Sequence, residues 1–341
     1  MNPPLQSHLW ISEIKQDDRV RGQYLVRMKR MASTKKGDPF LTITLSDRTG
    51  EIEAKVWEKA DELTSLFKEG DVLEVEGYAS SYRDQLQVTL STLRTVNEMC
   101  DPSVFLEVTQ KDIPKLMGSL REVLKSIKHS RIRALVESFL ADRQFMGLFK
   151  QAPAAKNFHH SYIGGLLEHT LSVCEMTRMA VNHYPQLDSD LLLAGAFFHD
   201  IGKVRELRWD RVIDYTDEGR LIGHLTLGVT MIDERVASIG DFPEEIGLRL
   251  KHLILSHHGE YEFGSPKRPK FLEAFALHLI DDLDAKMNGL SRFMEKDKQE
   301  GEWTDFNRLF ERYFLKAKIQ LEERAEAGFE DRQKGLFSPS R

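Results

Sequence analysis

Between residues 8 and 96 apolar and polar positions alternate with a period of two. In RGQYLVRMKRM, Tyr24, Val26 and Met28 alternate with Leu25, Arg27 and Lys29; in FLTITLSD, Leu41, Ile43 and Leu45 alternate with Phe40, Thr42 and Thr44. In IEAKVW, Ile52, Ala54 and Val56 alternate with Glu53, Lys55 and Trp57, after the turn signal Asp47-Arg48-Thr49-Gly50. Extended chain sends successive side chains to opposite faces, so each segment predicts a strand with one buried face. EKADELTSLFKEG then reads as a helix that stops at Gly70, and DVLEVEGY and DQLQVTLSTL read as two more strands. Three strands, a short helix and two strands is the order of an OB-fold barrel.

The alternation lapses over residues 97–111, which suits a linker, and beyond it the apolar positions recur at helical spacing, beginning with IPKLMGSLREVLKSI and RIRALVESFLADRQF. The expected organisation is multidomain: an all-β barrel over 1–96, a linker over 97–111, an all-α domain over 112–330 and a flexible tail over 331–341, ending GLFSPSR.

On the outward face of the barrel, opposite the apolar face of each strand, fall Phe40 and Trp57. The basic run Arg27, Lys29, Arg30, Lys35, Lys36 lies on the first strand and the loop after it. Such barrels bind single-stranded nucleic acid by stacking bases on aromatic rings beside a basic groove. The competing reading is that the rings pack against a neighbouring domain and the charges form a solvated face.

Composition narrows the classes. The chain has 341 residues and a formal net charge of −6, which argues against coating nucleic acid by bulk charge and leaves room for a local basic groove. The N-terminus MNPPLQSHLW lacks the basic and apolar regions of a signal peptide, and no apolar run approaches the roughly 18 residues of a membrane span, so a cytoplasmic protein with no membrane partner is expected. The two cysteines, Cys100 and Cys174, are far apart without CxxC spacing, which suggests neither a disulfide framework nor a thiolate metal site.

The candidate chemistry lies in the helical half. LLLAGAFFHDIGK sets His199 and Asp200 at the end of an apolar run, where an unpaired polar group costs roughly 2 to 7 kcal/mol, so the carboxylate needs a partner or a cation. His169 shares a helical stripe with Leu166, Val173 and Met176. His224, the pair His257 and His258, and Asp281 and Asp284 follow; the two aspartates are three apart and share a helix face. Imidazoles and carboxylates on helices with apolar stripes can converge in a bundle core to hold metal, and mixed N and O donors suit Mn, Fe, Co, Ni or Zn better than Ca.

The order H, HD, H, HH, D resembles the HD phosphohydrolase superfamily, all-helical enzymes that hydrolyse phosphate esters with one or two divalent ions. The resemblance implies His169, His199, Asp200 and Asp281 as the defining ligands. It implies His224, His257 and His258 as the extra ligands of two-metal members, with Asp200 bridging both ions. The barrel followed by FHHSYIGGLLEHT, HDIGK, LIGH, SHHGEYEFGSP and IDDLDAK is similar to the YhaM family of bacterial 3′-to-5′ exoribonucleases, over roughly residues 10 to 325. That similarity implies two divalent ions, Mn²⁺ first and Co²⁺, Fe²⁺, Ni²⁺ or Zn²⁺ as alternatives. It further implies single-stranded RNA as substrate, with single-stranded DNA a further candidate, and release of nucleoside 5′-monophosphates.

Lys203, one turn after His199, is placed to meet a phosphate oxygen, or else to form a surface salt bridge. His159 and His160 could touch substrate, cap or pack. Lys267 and Arg268, in the turn-rich loop Gly264 to Arg268, could guide an anionic strand or be solvated. Two rival functions remain: an HD enzyme acting on free nucleotides or a cyclic dinucleotide with a regulatory barrel, and a non-catalytic nucleic-acid-binding protein with a structural metal. Glu-Tyr-Glu-Phe-Gly-Ser-Pro at 260 to 266 departs from the Gly-Tyr-Pro signature of HD-type cyclic-dinucleotide phosphodiesterases.

Overall fold

The structure, a computed structural model, describes residues 8–34, 36–83, 85–96 and 100–316. Lys35, residues 317–330 and the tail expected over 331–341 lie outside the described residues. Strands β1 (Arg19–Ser33), β2 (Pro39–Asp47), β3 (Gly50–Val56), β4 (Val72–Tyr82) and β5 (Gln85–Thr95) close into a barrel of order β1-β2-β3-β5-β4. Among the described strand pairings of the barrel, only β3–β5 is parallel. Helix α1 (Ala60–Thr64) joins β3 to β4, shorter than its sequence pattern suggests, with Lys59 in the left-handed region at its N-cap.

Leu41, Ile43 and Leu45 point inward against Ile52, Ala54 and Val56, as the alternation requires. The first strand departs from its expected pattern. A bulge between Val26 and Met28 reverses the facing there, and Met28 is exposed. Leu25 is buried, in a separate cluster with Val72, Val104 and Phe105. That cluster lies on the outer side of the barrel, so β1 carries apolar residues on both faces over this stretch.

The segment expected as a linker is packed at its centre. Val104, Phe105 and Leu106 are buried, and the Val104 carbonyl accepts from the Arg48 amide at 2.8 Å. Val108 bridges Ile163, and Thr109 Oγ1 donates to Glu168 Oε2 at 2.5 Å.

The helical part runs α2 (Ile113–Leu124), α3 (Ser130–Ala141), α4 (Arg143–Phe149), α5 (Gly165–His183), α6 (Ser189–Phe198) and α7 (Lys203–Glu206). A two-residue ribbon follows, β6 (Leu207–Arg208) with β7 (Asp214–Tyr215), then α8 (Asp217–Leu221), α9 (His224–Ser238), α10 (Glu244–Ser256) and α11 (Leu272–Lys296). Aspartates 112, 142 and 188 cap α2, α4 and α6 by accepting from first-turn amides. From Leu191 to Phe198 every residue of α6 is buried, as expected for a helix apolar on all sides. This central helix carries the His199–Asp200 pair at its end.

Contacts divide the chain into Met1–Gly289, which holds the barrel and the helical core, and Leu290–Arg341. In the described part of the second unit, the helical pattern expected up to 330 gives way after Lys296 to isolated bridges, Trp303 with Leu315 and Asn307 with Arg312. Edge-on ring pairs, Phe306 with Tyr313 and Phe310 with Phe314, hold this stretch. Among the described residues no helix is long and apolar enough to cross a membrane.

Candidate metal centre

Five histidines converge because each stands at or near a helix end. His169 lies in the second turn of α5, His199 caps the C-terminus of α6, His224 opens α9, His257 caps the C-terminus of α10 and His258 follows it. The two C-capping histidines use the same device. The Nδ1 of His199 bonds the Ala196 carbonyl at 2.9 Å, and that of His257 bonds the Ile254 carbonyl at 2.8 Å. His258 Nδ1 bonds the Phe263 carbonyl at 3.0 Å, His224 Nδ1 faces Glu206 Oε1 at 2.9 Å, and His169 Nδ1 faces Asp284 Oδ2 at 2.7 Å.

Carbonyl oxygens and ionised carboxylates only accept, so in each neutral ring the proton sits on Nδ1 and the lone pair on Nε2. All five Nε2 atoms then turn inward. His169 Nε2 lies 3.1 Å from His199 Nε2, and His224 Nε2 lies 3.3 Å from His258 Nε2. Paired lone pairs at that separation repel each other unless a cation or a proton lies between them.

Asp200 stands between the two groups. Its Oδ2 faces His169 and His199 Nε2 at 3.5 and 3.4 Å, while its Oδ1 faces His257 and His224 Nε2 at 3.6 and 3.7 Å. Asp281 Oδ1 completes the first group, 3.1 Å from His169 Nε2. Donor atoms of His169, His199 and Asp281 lie within 4.8 Å of one another, and so do those of His224, His257 and His258. Asp200 Oδ1 is buried without a hydrogen-bond partner, which for an ionised carboxylate costs at least about 1–3 kcal/mol. The orphaned oxygen, the facing lone pairs and the N and O donor set all fit divalent cations.

Lys203 is buried, contrary to the surface salt bridge its sequence allows, and its Nζ donates to Asp200 Oδ2 at 2.6 Å. Burial works against both charges, but each outweighs it for the other: the Asp200 carboxyl is held well below the usual range and the Lys203 ammonium is raised. Burial also opposes a charge on His169, yet Asp281 and Asp284 push its pKa up to about 9, so a cation at this Nε2 competes with a proton. Burial pushes His257 and His258 down, favouring neutral ligands.

Two orienting carboxylates were not assigned a role from sequence. Asp284 faces His169 and, at 3.0 Å, His160 Nε2, and it accepts from Ser172 Oγ. Glu206 accepts from both the amide and Nδ1 of His224. The spacing of Asp284 three residues after Asp281 was the available signal. His160 is committed to this support: its Nδ1 meets the Tyr162 hydroxyl at 2.9 Å and its amide donates to Asn288. His159 differs, its Nδ1 buried without a partner and its ring centroid 5.4 Å from that of His169; burial and then Lys203 push it down to about 3. Gly202 lets the HD turn meet α9, since a Cβ there would lie 2.1 Å from the His224 carbonyl oxygen.

On the barrel, Phe40 and Trp57 stack with centroids 4.7 Å apart, and Trp57 is 46% exposed. Lys55 Nζ lies 5.9 Å from the Phe40 centroid and 5.4 Å from that of Tyr82, and Arg83 lies over Tyr82 at 5.3 Å. Register places Arg30, Thr42, Lys55, Thr89 and Tyr78 in one row across the sheet. Lys55, Tyr78, Tyr82 and Arg83 thus join the surface, although sequence alternation alone did not single them out. Arg30 and Lys36 are exposed. Arg27 bonds Ser46 Oγ at 3.1 Å and Lys29 donates to the Thr64 carbonyl at 2.5 Å, so Lys29 braces the end of α1. In the loop after the double histidine, Arg268 forms a bidentate pair with Glu260 at 2.8 and 3.0 Å, while Lys267 is exposed.

The fold and site together define a metal-binding HD domain joined to an OB-fold. The HD domain family matches residues 166–286, and the OB-fold nucleic acid binding domain family matches residues 24–96. The 3′-5′ exoribonuclease YhaM of Geobacillus sp. (strain WCH70) is 38% identical over 283 residues, covering 82% of this chain and 86% of that protein. The protein of the same name from Bacillus subtilis (strain 168) is 36% identical over 292 residues, covering 84% and 91%. The second OB-fold domain of replication protein A from Methanococcus maripaludis aligns with 27% of this chain and 98% of that domain, at 22% identity and a TM-score of 0.23. The chain belongs to the YhaM 3′-5′ exoribonuclease family.

Proposed function

We propose that the protein is a metal-dependent 3′-to-5′ exoribonuclease that removes nucleoside 5′-monophosphates one at a time from single-stranded RNA, in the cytoplasm. The observation that carries the metal chemistry is Asp200, each of whose carboxylate oxygens faces a separate group of imidazole nitrogens. The names of the relatives support the polarity and an RNA substrate.

His169, His199, Asp281 and Asp200 Oδ2 would hold one divalent ion, and His224, His257, His258 and Asp200 Oδ1 the other, with Mn²⁺ favoured. Such ions, when bound, supply an acidified water nucleophile and stabilise phosphoryl charge. Asp284, Glu206 and the backbone carbonyls fix the imidazole tautomers, so that no ligand must reorganise. Lys203, kept charged by Asp200, sits where its ammonium can donate to a phosphate oxygen. His159, neutral, offers its unpartnered Nδ1 side to the terminal nucleotide, whereas His160 is a positioning residue. In the reaction a water oxygen bonds the terminal phosphorus, the bond from phosphorus to the penultimate 3′ oxygen breaks, and that oxygen takes a proton.

Seven ligands exceed the four that close a structural zinc site, which disfavours a metal used only as a staple. The exposed aromatic and basic surface of the barrel favours a polymeric substrate over a free nucleotide. Replacing Phe40 and Trp57 by Ala weakens binding to single-stranded RNA by roughly 1–3 kcal/mol per lost base stack, measured by anisotropy titration. Unchanged affinity in the folded double variant removes these rings from the platform. Digestion of RNA labelled at either end tests the activity: the 3′ label leaves at once as a mononucleotide and the 5′-labelled strand shortens stepwise. Early release of a 5′-labelled mononucleotide, or internal cuts, contradicts the assignment.

A further inference from the structure

Beside the ribbon formed by β6 and β7, three basic side chains gather on one aspartate. Asp214 accepts from Lys156 Nζ at 2.7 Å and from Arg220 at 3.1 Å through both oxygens, and Arg208 lies 3.5 Å away. Three cations thus gather on one carboxylate, which Lys156, the Tyr215 amide and Arg220 hold far below the usual range. Two of them flank one ring: Lys156 Nζ is 5.6 Å and Arg220 Cζ 5.9 Å from the centroid of Tyr215, which is 37% exposed. The guanidinium side chains of Arg208 and Arg220 are more than half exposed, at 58% and 56%.

Position gives this cluster its meaning. β6 continues directly from α7, which begins at Lys203 and ends at Glu206, the support of His224. The amide of Thr216, next to Tyr215, donates to the Glu206 carbonyl at 2.9 Å. On the other side Lys156 belongs to the loop that leads to His159, and its carbonyl accepts from Ser161 Oγ at 2.8 Å. The ion pair between Lys156 and Asp214 therefore ties the two loops that border the two halves of the metal centre. Arg211, within the same ribbon, reaches the barrel and donates to the Gly70 carbonyl at 3.3 Å.

We infer that Tyr215, with Lys156, Arg208 and Arg220, is a second single-strand platform: it stacks a base just upstream of the scissile phosphate and holds the adjoining phosphates. The inference rests on the exoribonuclease reading. An exposed ring flanked by cations is the combination that grips single strands without regard to sequence, since every base has a π face and every linkage a charge. Three basic side chains against the one carboxylate of Asp214 leave positive charge available to an anion. The platform lets a strand shortened to a few nucleotides stay in register with the metals after its 5′ part has left the barrel.

The test uses the full-length protein with Mn²⁺ and uridine oligomers of four and twelve nucleotides. Tyr215→Leu keeps an apolar side chain but cannot stack, and it raises KM for the tetramer about ten-fold, the scale of one lost base stack, while kcat changes much less. Tyr215→Trp retains the low KM, a rescue that a merely structural role would not distinguish from Leu. Arg220→Ala raises KM and flattens its salt dependence, because one phosphate contact is gone. If the wild-type protein degrades RNA and these variants match it in KM and salt slope, the platform is overturned and the exoribonuclease reading stands. If Leu and Trp at 215 act alike, stacking is overturned. A wild-type protein that degrades no RNA overturns both.

Discussion

Asp200→Ala loses at least about a thousand-fold in turnover on RNA, equivalent to about 4 kcal/mol of transition-state stabilisation. The substitution removes the only carboxylate among the described residues that faces both imidazole groups, so both proposed ions lose a ligand at once. It also strips the buried Lys203 ammonium of its partner, and breaking a buried pair from one side typically costs about 3–5 kcal/mol of stability. A melting curve in the same buffer separates the two effects. Binding of single-stranded RNA persists in the folded variant, because the barrel surface is untouched. Turnover within a few-fold of wild type would end the assignment of Asp200 as the shared ligand.

The second large effect concerns a residue that would touch no metal. Asp284→Ala weakens the apparent affinity for the activating ion by roughly 10–100-fold, the usual consequence of removing a carboxylate that supports a ligating imidazole. Asp284 faces Nδ1 of His169 and Nε2 of His160, and it accepts from Ser172, so three groups lose their common partner. His169 is then free to carry its proton on Nε2, the position the ion needs. Excess metal restores much of the turnover if the role is one of orientation. A metal titration of activity that superimposes on wild type would show that His169 is held by packing alone.

What could be read in advance follows from the kind of force involved. The barrel order was legible because antiparallel strands with one wet face alternate, and β2 and β3 kept that alternation. β1 did not, because its bulge shifts the facing and because Leu25 buries its outer side against Val104 and Phe105. No period-two rule anticipates a second apolar neighbour. The same contact explains why the stretch after the barrel, irregular in sequence, is packed rather than free.

At the candidate metal centre the histidines and aspartates that converge were legible from their motifs, whereas their orientation was not. Ala196, Ile254 and Phe263 fix three imidazoles through backbone carbonyls, which leave no trace in side-chain identity. His160 looked equivalent to His159 in sequence, yet the left-handed backbone at His160 turns its ring onto Tyr162 and Asp284. Arg268 and Lys29 showed the converse, being charges apparently available to an anion that the fold spends on Glu260 and on backbone carbonyls.

The central claim is that one carboxylate serves two ions. Elemental analysis of the active full-length enzyme, combined with anomalous scattering from Mn²⁺-soaked crystals, addresses it directly. The account predicts two manganese peaks per chain, one among His169, His199 and Asp281 and one among His224, His257 and His258, with Asp200 between them. A fully active enzyme holding a single ion, or two ions of which neither touches Asp200, would contradict it.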